Sequence, residues 1–579
     1  MAGILQVLAS SWGCWGCLVR LLALLAVLVA LSGCSNRLAS LGGTGLQGTA
    51  SPSPTSIATV ANDGGEEAAT LTLTGITLNR VSDLPNPSQV SDEELLSAAN
   101  PLIGKKVSIE GLRDLATAME AKFREAGYPY ARVILPPQKV EGGVVTFTVI
   151  EGWIDGVTVL GPSSPEKIQT EVRLRPLDKT GPVEVRDIER TVALLQRVPG
   201  LKSHVAIARG GSGPGAMKLV ADAAKEEPNY LLNIQNSGSR SLGREGATFF
   251  ASVPGAAPLG DEFQFAAYNT FDYEEQMSLQ AVYERGLTLD GLTARLAATY
   301  AEATPSGPVA TLGLASESVT ADASLSYPLY LRRNTSLDLT AGFAYADFTG
   351  ELFSGTVPFS DDRTRSAYVS LDGKTKLDGW TLDGGVLFKR GLDVLDASKA
   401  GDANLARPEA EPETLISLGR LAVESPRFYG VQARMRAEGQ YAVHPLMAVD
   451  EFSFGNYTIV RGYDPGAAAG DSAIAAAFDV SGFRQTFWNQ RISAELTGFY
   501  DLGKYWNQDS TGTEERSLAS IGGGVRVTLT GYLRADVTYA VPLNAPLGQG
   551  EDRPDPRLLF SITADTAAIW ERIANVWAS

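Results

Sequence analysis

The chain contains 579 residues, of which 44% are hydrophobic and 20% charged, so its composition excludes an intrinsically disordered protein. Its formal net charge of −17 argues against a nucleic-acid partner. The three cysteines all lie in the first 34 residues and only two histidines occur, which predicts no disulfide framework, no histidine-based metal site and no cofactor.

Residues 1–34 are predicted to be a signal peptide. The apolar run at 18–31 begins near Arg20 and is too short for a comfortable transmembrane helix. The sequence LSGC that ends at Cys34 resembles a bacterial lipobox, in which this cysteine is lipidated. An ordinary signal peptide that discards Cys34 fits equally well. Residues 35–68 are rich in Gly, Ser, Thr, Ala and Pro and are predicted to form a flexible linker.

Two small α/β domains are predicted, at 69–153 and 154–226. In the first, a strand at 71–78 precedes a helix that opens with the capping box Ser91 and Glu94, a longer helix and two further strands. The longer helix has one apolar face, formed by Leu112, Leu115, Met119 and Phe123. The second segment repeats this order of elements, and a repeat is a stronger indication than either copy alone.

Residues 227–566 alternate strictly between apolar and polar positions, in runs that often end at an aromatic residue. This pattern is typical of a transmembrane β-barrel. A soluble sandwich also alternates, but here the polar face carries charges, as a lumen would; Arg434 and Arg436 are candidate lumen residues. A spacing of ~20 residues per strand and turn predicts about 16 strands, closed so that every backbone group is paired in lipid.

Two short motifs lie in the second half of the barrel segment. Val460, Arg461, Gly462 and Tyr463 form the first and precede a Gly/Ala/Asp-rich stretch, and the second runs from Phe499 to Asp501. Alternation along the strand that carries the second motif points Asp501 into the lumen, where a carboxylate needs a cation. Three glycines at 522–524 open a strand rather than a helix, so we interpret them as relieving crowding. The sequence contains no recognised enzyme signature, which predicts that the protein is not an enzyme.

The chain resembles the outer-membrane transporters of two-partner secretion, the hemolysin secretion/activation family. The resemblance rests on both motifs, on the tandem α/β repeat and on segments 134–154, 195–200 and 236–243. It implies a mainly β fold: two periplasmic POTRA domains (β-α-α-β-β) before a 16-stranded barrel at 227–566. It also implies that Arg461, on the sixth surface loop, pairs with Asp501 inside the barrel, where the pair is expected to be open to lumen water. Residues 567–579 are a C-terminal extension, and no plug helix is evident.

The resemblance further implies a bacterial outer-membrane protein that secretes an unfolded exoprotein without ATP. The partner would carry an N-terminal secretion domain; other implied partners are outer-membrane lipid and the barrel-assembly machinery. POTRA surfaces that could bind this client are the strand at 131–135 and the helix face from Leu112 to Phe123. A membrane-protein insertase of the same superfamily is the alternative, although such proteins usually have more POTRA domains. A passive porin explains the barrel but not the repeat.

Overall fold

The computed structural model describes residues 70–566 except 82–86, 179–180, 256, 258, 354–356, 456–458, 509–515, 530–531 and 547–551. The predicted signal peptide with Cys34, the linker and the C-terminal extension lie outside the described residues. The chain divides into two compact units, formed mainly by the α/β elements before Glu227 and by the strands after it.

The first α/β domain contains two helices and two sheets. Its elements are β1 (Thr70–Thr72), β2 (Gly75–Val81), α1 (Asp92–Ser97), β3 (Lys106–Ser108), α2 (Ile109–Glu125), β4 (Arg132–Ile134) and β5 (Val144–Ile150). One sheet has the order β2-β5-β4, with β2 parallel to β5, and β1 pairs with β3. The predicted single strand at 71–78 is therefore wrong. The amide of Leu73 donates to Lys105 and that of Thr74 to Gly143, so the chain passes between sheets there.

Both helices of this domain begin at a serine cap. The Ser91 hydroxyl accepts a hydrogen bond from the Glu94 amide (3.2 Å), which confirms the predicted start of α1. Ser108 caps α2 in the same way by accepting from the Gly111 amide at 3.1 Å. These bonds satisfy amide groups that a helix start leaves without a partner, and so they place both helices against the sheet at defined residues.

The apolar face of α2 forms the core of the first domain. Its four predicted client-contacting residues are between 0% and 3% exposed: Leu112, Leu115, Met119 and Phe123. They pack against Val145, Phe147 and Val149 of β5. The prediction that these four residues present a face to a client is therefore corrected, because no client can reach them in the folded domain. An amphipathic helix has the same pattern whether its apolar face meets a core or a partner.

The second α/β domain repeats the strand-helix-helix-strand-strand order. Its elements are β6 (Trp153–Val159), α3 (Pro165–Leu174), α4 (Val185–Gln196), β7 (Leu201–Arg209) and β8 (Ala216–Lys225). The sheet has the order β6-β8-β7, with β6 parallel to β8, as β2 is to β5 in the first domain. Ile154, Leu174, Leu195 and Leu219 are fully buried at its centre.

Sixteen strands then close into a barrel, as predicted. They are β9 (Asn229–Gln235), β10 (Gly246–Pro254), β11 (Asp261–Thr270), β12 (Gln276–Gly286), β13 (Thr293–Ala303), β14 (Ala315–Leu331), β15 (Thr335–Leu352), β16 (Val357–Leu377), β17 (Trp380–Gly391), β18 (Leu415–Glu424), β19 (Gln432–Ala442), β22 (Ser472–Phe487), β23 (Ile492–Trp506), β24 (Arg516–Leu529), β25 (Leu533–Pro542) and β26 (Arg557–Asp565). Between β19 and β22, strands β20 (Phe452–Phe454) and β21 (Ala468–Gly470) form a separate two-stranded sheet.

The two faces of the barrel wall differ in polarity. Apolar side chains such as Leu325, Val369 and Val537 are exposed on the face that meets lipid. The other face carries ion pairs between neighbouring strands, such as Arg295 with Asp322 at 3.3 Å. No helix in the described part of the chain is long and apolar enough to cross a membrane.

We expect Phe123→Ala to destabilise the first domain by about 3–5 kcal/mol, because it empties a fully buried site in the core. Urea unfolding of residues 70–226 measures this change. Ile134→Ala, at an exposed position on β4, is the control and should cost less than about 1 kcal/mol. Equal effects of the two substitutions would contradict the assignment of Phe123 to the core.

Candidate functional site

The loop between β19 and β22, residues 443–471, is called loop 6 below. Its Val460–Tyr463 segment packs against the inner face of the barrel wall. Val460 and Tyr463 are fully buried, in a cluster that includes Tyr505 of β23 and Leu518 of β24. These two wall residues share the inward-facing alternation of Asp501. Loop 6 therefore folds back into the lumen, in agreement with the resemblance.

Arg461 binds two carboxylates on adjacent strands. Its backbone amide and Nε both donate to Oδ2 of Asp501 at 2.9 Å, and Nη2 donates to Oδ1 at 2.6 Å. Nη1 donates to Oδ1 of Asp479 on β22 at 2.6 Å. The guanidinium carbon lies 3.8 Å from the centre of the Phe499 ring. The structure thus brings Arg461, Phe499 and Asp501 together, and it adds Asp479, which the sequence analysis missed.

The site excludes water more completely than expected. The Asp501 side chain is fully buried and that of Arg461 is only 12% exposed, whereas we expected the pair to be open to lumen water. Burial alone lowers the pKa of the Arg461 guanidinium, but the hydrogen bonds and charges of Asp501 and Asp479 outweigh it and leave the pKa above its ordinary value. Removing the arginine would leave a buried carboxylate without its cation, which is strongly unfavourable.

Gly462 and Tyr463 bring the loop into close contact with the wall. A Cβ atom on Gly462 would lie 2.8 Å from both the Ser520 Cβ and the Pro542 nitrogen, so only glycine permits this approach. The Tyr463 hydroxyl lies 3.0 Å from the Ala519 carbonyl oxygen and 2.7 Å from that of Asn544. This motif therefore joins loop 6 to β24 and to the residues that follow β25.

Phe499 needs the first of the three glycines at 522–524. A Cβ atom on Gly522 would overlap the Phe499 ring and the Tyr539 carbonyl oxygen. Glycine at this position leaves room for the ring, which lies against the Arg461 guanidinium. The structure agrees with the interpretation that this glycine relieves crowding.

The two candidate lumen arginines differ in their surroundings. Arg436 Nη2 donates to Oδ2 of Asp479 at 2.9 Å, so Asp479 bridges Arg436 and Arg461. Arg434 is half exposed and faces Glu424 of the neighbouring strand at 3.6 Å. Arg436 therefore belongs to the loop 6 site. Asp479 is the only charged residue from 472 to 480, and that isolation in an apolar run was the signal for it.

A second ion cluster holds the residue after the motif. Asp464 lies 3.4 Å from Arg557 of β26 and 3.5 Å from Arg244. Arg557 also donates to the Tyr463 carbonyl oxygen at 2.5 Å and to that of Gly238 at 2.8 Å. Loop 6 is thus bound to the loop between β9 and β10, called the first loop, and to β26, the last strand of the barrel. No group of three or more metal-ligating side chains occurs among the residues that the structure describes.

A family model described as haemolysin secretion/activation protein ShlB/FhaC/HecB matches residues 216–527, more than half of the chain. The chain belongs to this family. A second model, the ShlB-type POTRA domain, matches residues 76–152. As in the rest of the family, the barrel lies in the outer membrane, the POTRA domains are periplasmic and the protein is a two-partner secretion transporter.

Named relatives resemble most of the chain in sequence, and a solved structure resembles it in fold. The heme/hemopexin transporter protein HuxB of Haemophilus influenzae (strain 86-028NP) is 23% identical over 476 residues, 79% of this chain and 82% of that protein. The outer membrane transporter CdiB of Dickeya dadantii is 20% identical over 455 residues, 76% of this chain and 78% of that protein. CdiB from Escherichia coli has the same fold, with a TM-score of 0.69 at 18% identity over 88% of this chain and 93% of that one.

The periplasmic location of the POTRA domains sets the direction of the strands in the barrel of this haemolysin secretion/activation protein. Only three residues separate the end of β8 from the start of β9, so the chain enters the barrel at its periplasmic end. Since strands alternate in direction, loop 6 and the loop at 392–414 connect strands at the opposite end, which faces the outside of the cell.

We expect Arg461→Ala to reduce the free energy that holds loop 6 against the barrel wall by about 3–5 kcal/mol, because Asp501 stays buried without its cation. The temperature at which the folded barrel unfolds on a heat-modifiable gel should fall. Arg461→Lys should be intermediate, since lysine cannot make forked contacts to two carboxylates. The double variant Arg461→Ala/Asp501→Ala should lose less than the sum of the single variants. Strict additivity would contradict a coupled buried pair.

We expect Gly522→Ala to push the Phe499 ring away from Arg461. Overpacking of this kind usually destabilises the folded protein by about 1–3 kcal/mol. Planar-bilayer recordings should show more frequent channel opening as loop 6 loosens. Gly498→Ala is the matched control, because a Cβ atom there meets nothing closer than 3.9 Å. Similar recordings from the two alanine variants would refute the role of Gly522.

Proposed function

We propose that this transporter binds an unfolded exported protein through its POTRA domains and passes it through the barrel without ATP. The observation that carries the proposal is the arginine on a lumen-inserted loop, held by Asp501 and Asp479 on the wall. A loop whose inner part is held by a breakable charge cluster can shift aside for a client and return. Folding of the client outside the cell would give the transport its direction.

The POTRA domains offer sheet edges to an extended client. β4 pairs with β5 along one side, which leaves its other side as an edge of the sheet β2-β5-β4. Ile134 on this strand is 45% exposed. An edge strand can add a client segment through main-chain hydrogen bonds, which suits a partner whose N-terminal secretion domain arrives unfolded. This edge takes the place of the α2 face as our proposed client surface.

The barrel wall implies two further partners. Its exposed apolar side chains would contact outer-membrane lipid, and the barrel-assembly machinery would insert the barrel. We propose no catalytic activity and no cofactor for this protein.

We expect secretion of the partner exoprotein to be lost both in Arg461→Ala and in a variant lacking residues 70–225, while heat-modifiable gels still show an assembled barrel. Arg434→Ala is the control, because this lumen arginine pairs with Glu424 and should leave secretion close to wild type. Normal secretion in both test variants would overturn the proposal and favour a porin. Loss of other outer-membrane proteins instead of the exoprotein would favour an insertase.

A further inference from the structure

The loop between β17 and β18, residues 392–414, packs on both ends of loop 6, and is called loop 5. Its Arg407 Nη1 lies 2.5 Å from Oδ1 of Asp471, the last residue of loop 6, and 3.0 Å from Oε1 of Glu451. The same nitrogen donates to the Leu446 carbonyl oxygen at 3.1 Å. One guanidinium from loop 5 therefore joins the outgoing and returning segments of loop 6, residues 444–451 and 471, which we call its stems.

This contact is buried, unlike most ion pairs on protein surfaces. The side chains of Arg407 and Glu451 are 8% and 9% exposed, and that of Asp471 is fully buried. Beside them an apolar cluster joins loop 5 to the stem and to β15; it consists of Leu405, Ala410, Met447, Val449 and Phe348. Charge and apolar packing thus both hold loop 5 against the first stem of loop 6. Separating these two segments would expose the ion cluster and the apolar cluster to water.

Asp471 connects further elements to this cluster. Its carboxylate accepts hydrogen bonds from the amides of Leu446 at 2.8 Å and Gln508 at 2.7 Å. A single carboxylate thus links the first stem and the segment after β23. Besides Asp471 and Glu451, Arg407 also meets Glu409 at 3.1 Å, so one cation faces three carboxylates. Burial raises the pKa of Glu451 to about 7, which reduces the excess negative charge near neutral pH.

The stems and the inner part of loop 6 are therefore attached to different partners. The inner part, residues 459–470, holds on to the barrel wall through Arg461 and Tyr463, and to the first loop through Asp464. The stems hold on to loop 5, at the outer end of the barrel. A client in the lumen would meet the inner part, whereas Arg407 lies behind the stems, in a cluster that is already closed to water.

We infer that Arg407 is a positioning residue that clamps the stems of loop 6, so that Arg461 reaches Asp501 and Asp479. Transport then moves residues 459–470 while the stems stay clamped to loop 5. The movement of residues 459–470 rests on the proposed function, whereas the clamp by Arg407 does not. Arg407 acts through the loop, since its hydrogen bonds are to the stems and to Glu409.

The clamp is tested on the full-length protein in planar bilayers, where no client is needed. We expect Arg407→Ala to increase channel opening about tenfold, which corresponds to ~1.4 kcal/mol. Arg407→Lys should restore part of the closed state. Arg420→Ala, which removes an exposed lumen ion pair with Asp372, is the control and should behave as wild type. If Arg407→Ala does not assemble, Asp471→Asn replaces it with the same expected direction, because it removes the charge of the fully buried carboxylate that Arg407 binds. Wild-type opening in the Arg407 or Asp471 variant would overturn the clamp.

Two matched cross-links separate the stems from the inner part of loop 6. Glu411→Cys with His444→Cys joins loop 5 to a stem, and Arg244→Cys with Asp464→Cys joins the first loop to the inner part; each replaces a side-chain pair 3.5 Å apart. The natural cysteines all lie in the first 34 residues. A short thiol-cleavable bifunctional reagent forms the links, and reduction of the same sample is the reference.

The stem link should leave secretion unchanged and should return Arg407→Ala to wild-type opening, which a merely structural role of Arg407 would not produce. The inner link should abolish secretion until it is reduced. Loss of secretion from the stem link, or normal secretion through the inner link, would overturn the assignment of movement. If the wild-type protein secretes no partner, the proposed function fails, and the bilayer recordings still decide the clamp.

Discussion

Pairing between the first and last strands is the constraint on which the rest of this barrel depends. Among the residues that the structure describes, β9 and β26 are joined by five residue pairs, from Ser561 with Gln235 to Asp565 with Leu231. Lipid offers no hydrogen bonds to an open sheet edge, so the sheet must close. Asparagine side chains reinforce the short seam: Asn233 donates to Ser561 at 2.8 Å and Asn236 to the Leu558 carbonyl oxygen at 2.8 Å. Closure also creates the interior that loop 6 enters.

That interior determines the chemistry of the loop. Inward-facing carboxylates on neighbouring strands, Asp479 and Asp501, carry like charges in a confined space. Arg461 neutralises both, and Arg436 supplies a second cation to Asp479. The position of loop 6 is therefore coupled to the charge balance of the wall. Because the contact is forked and buried, it holds the loop in one place.

The POTRA domains and loop 6 are stabilised in different ways. The POTRA domains have their own apolar cores and present sheet edges, where we propose that an extended chain binds. Loop 6 is held in two places: its stems contact loop 5 at the outer end of the barrel, and its inner part contacts the barrel wall. A loop built in this way can release its inner part without losing its attachment to the barrel.

The sequence by itself determined the class of the fold, the approximate number of barrel strands, the repeated α/β order and the inward direction of Asp501. These follow from local periodicity, whereas the pairing of Arg461 with Asp501 was implied by the resemblance of two short motifs to those of a known family. Only the tertiary structure decided that Asp479 and Arg436 join the site, that Arg407 reaches Asp471, and that the apolar face of α2 is a core. The first two depend on strand register and on how a long loop folds, over separations of 18 residues between Arg461 and Asp479 and 64 between Arg407 and Asp471. The third depends on what covers an apolar face, which its own periodicity does not encode.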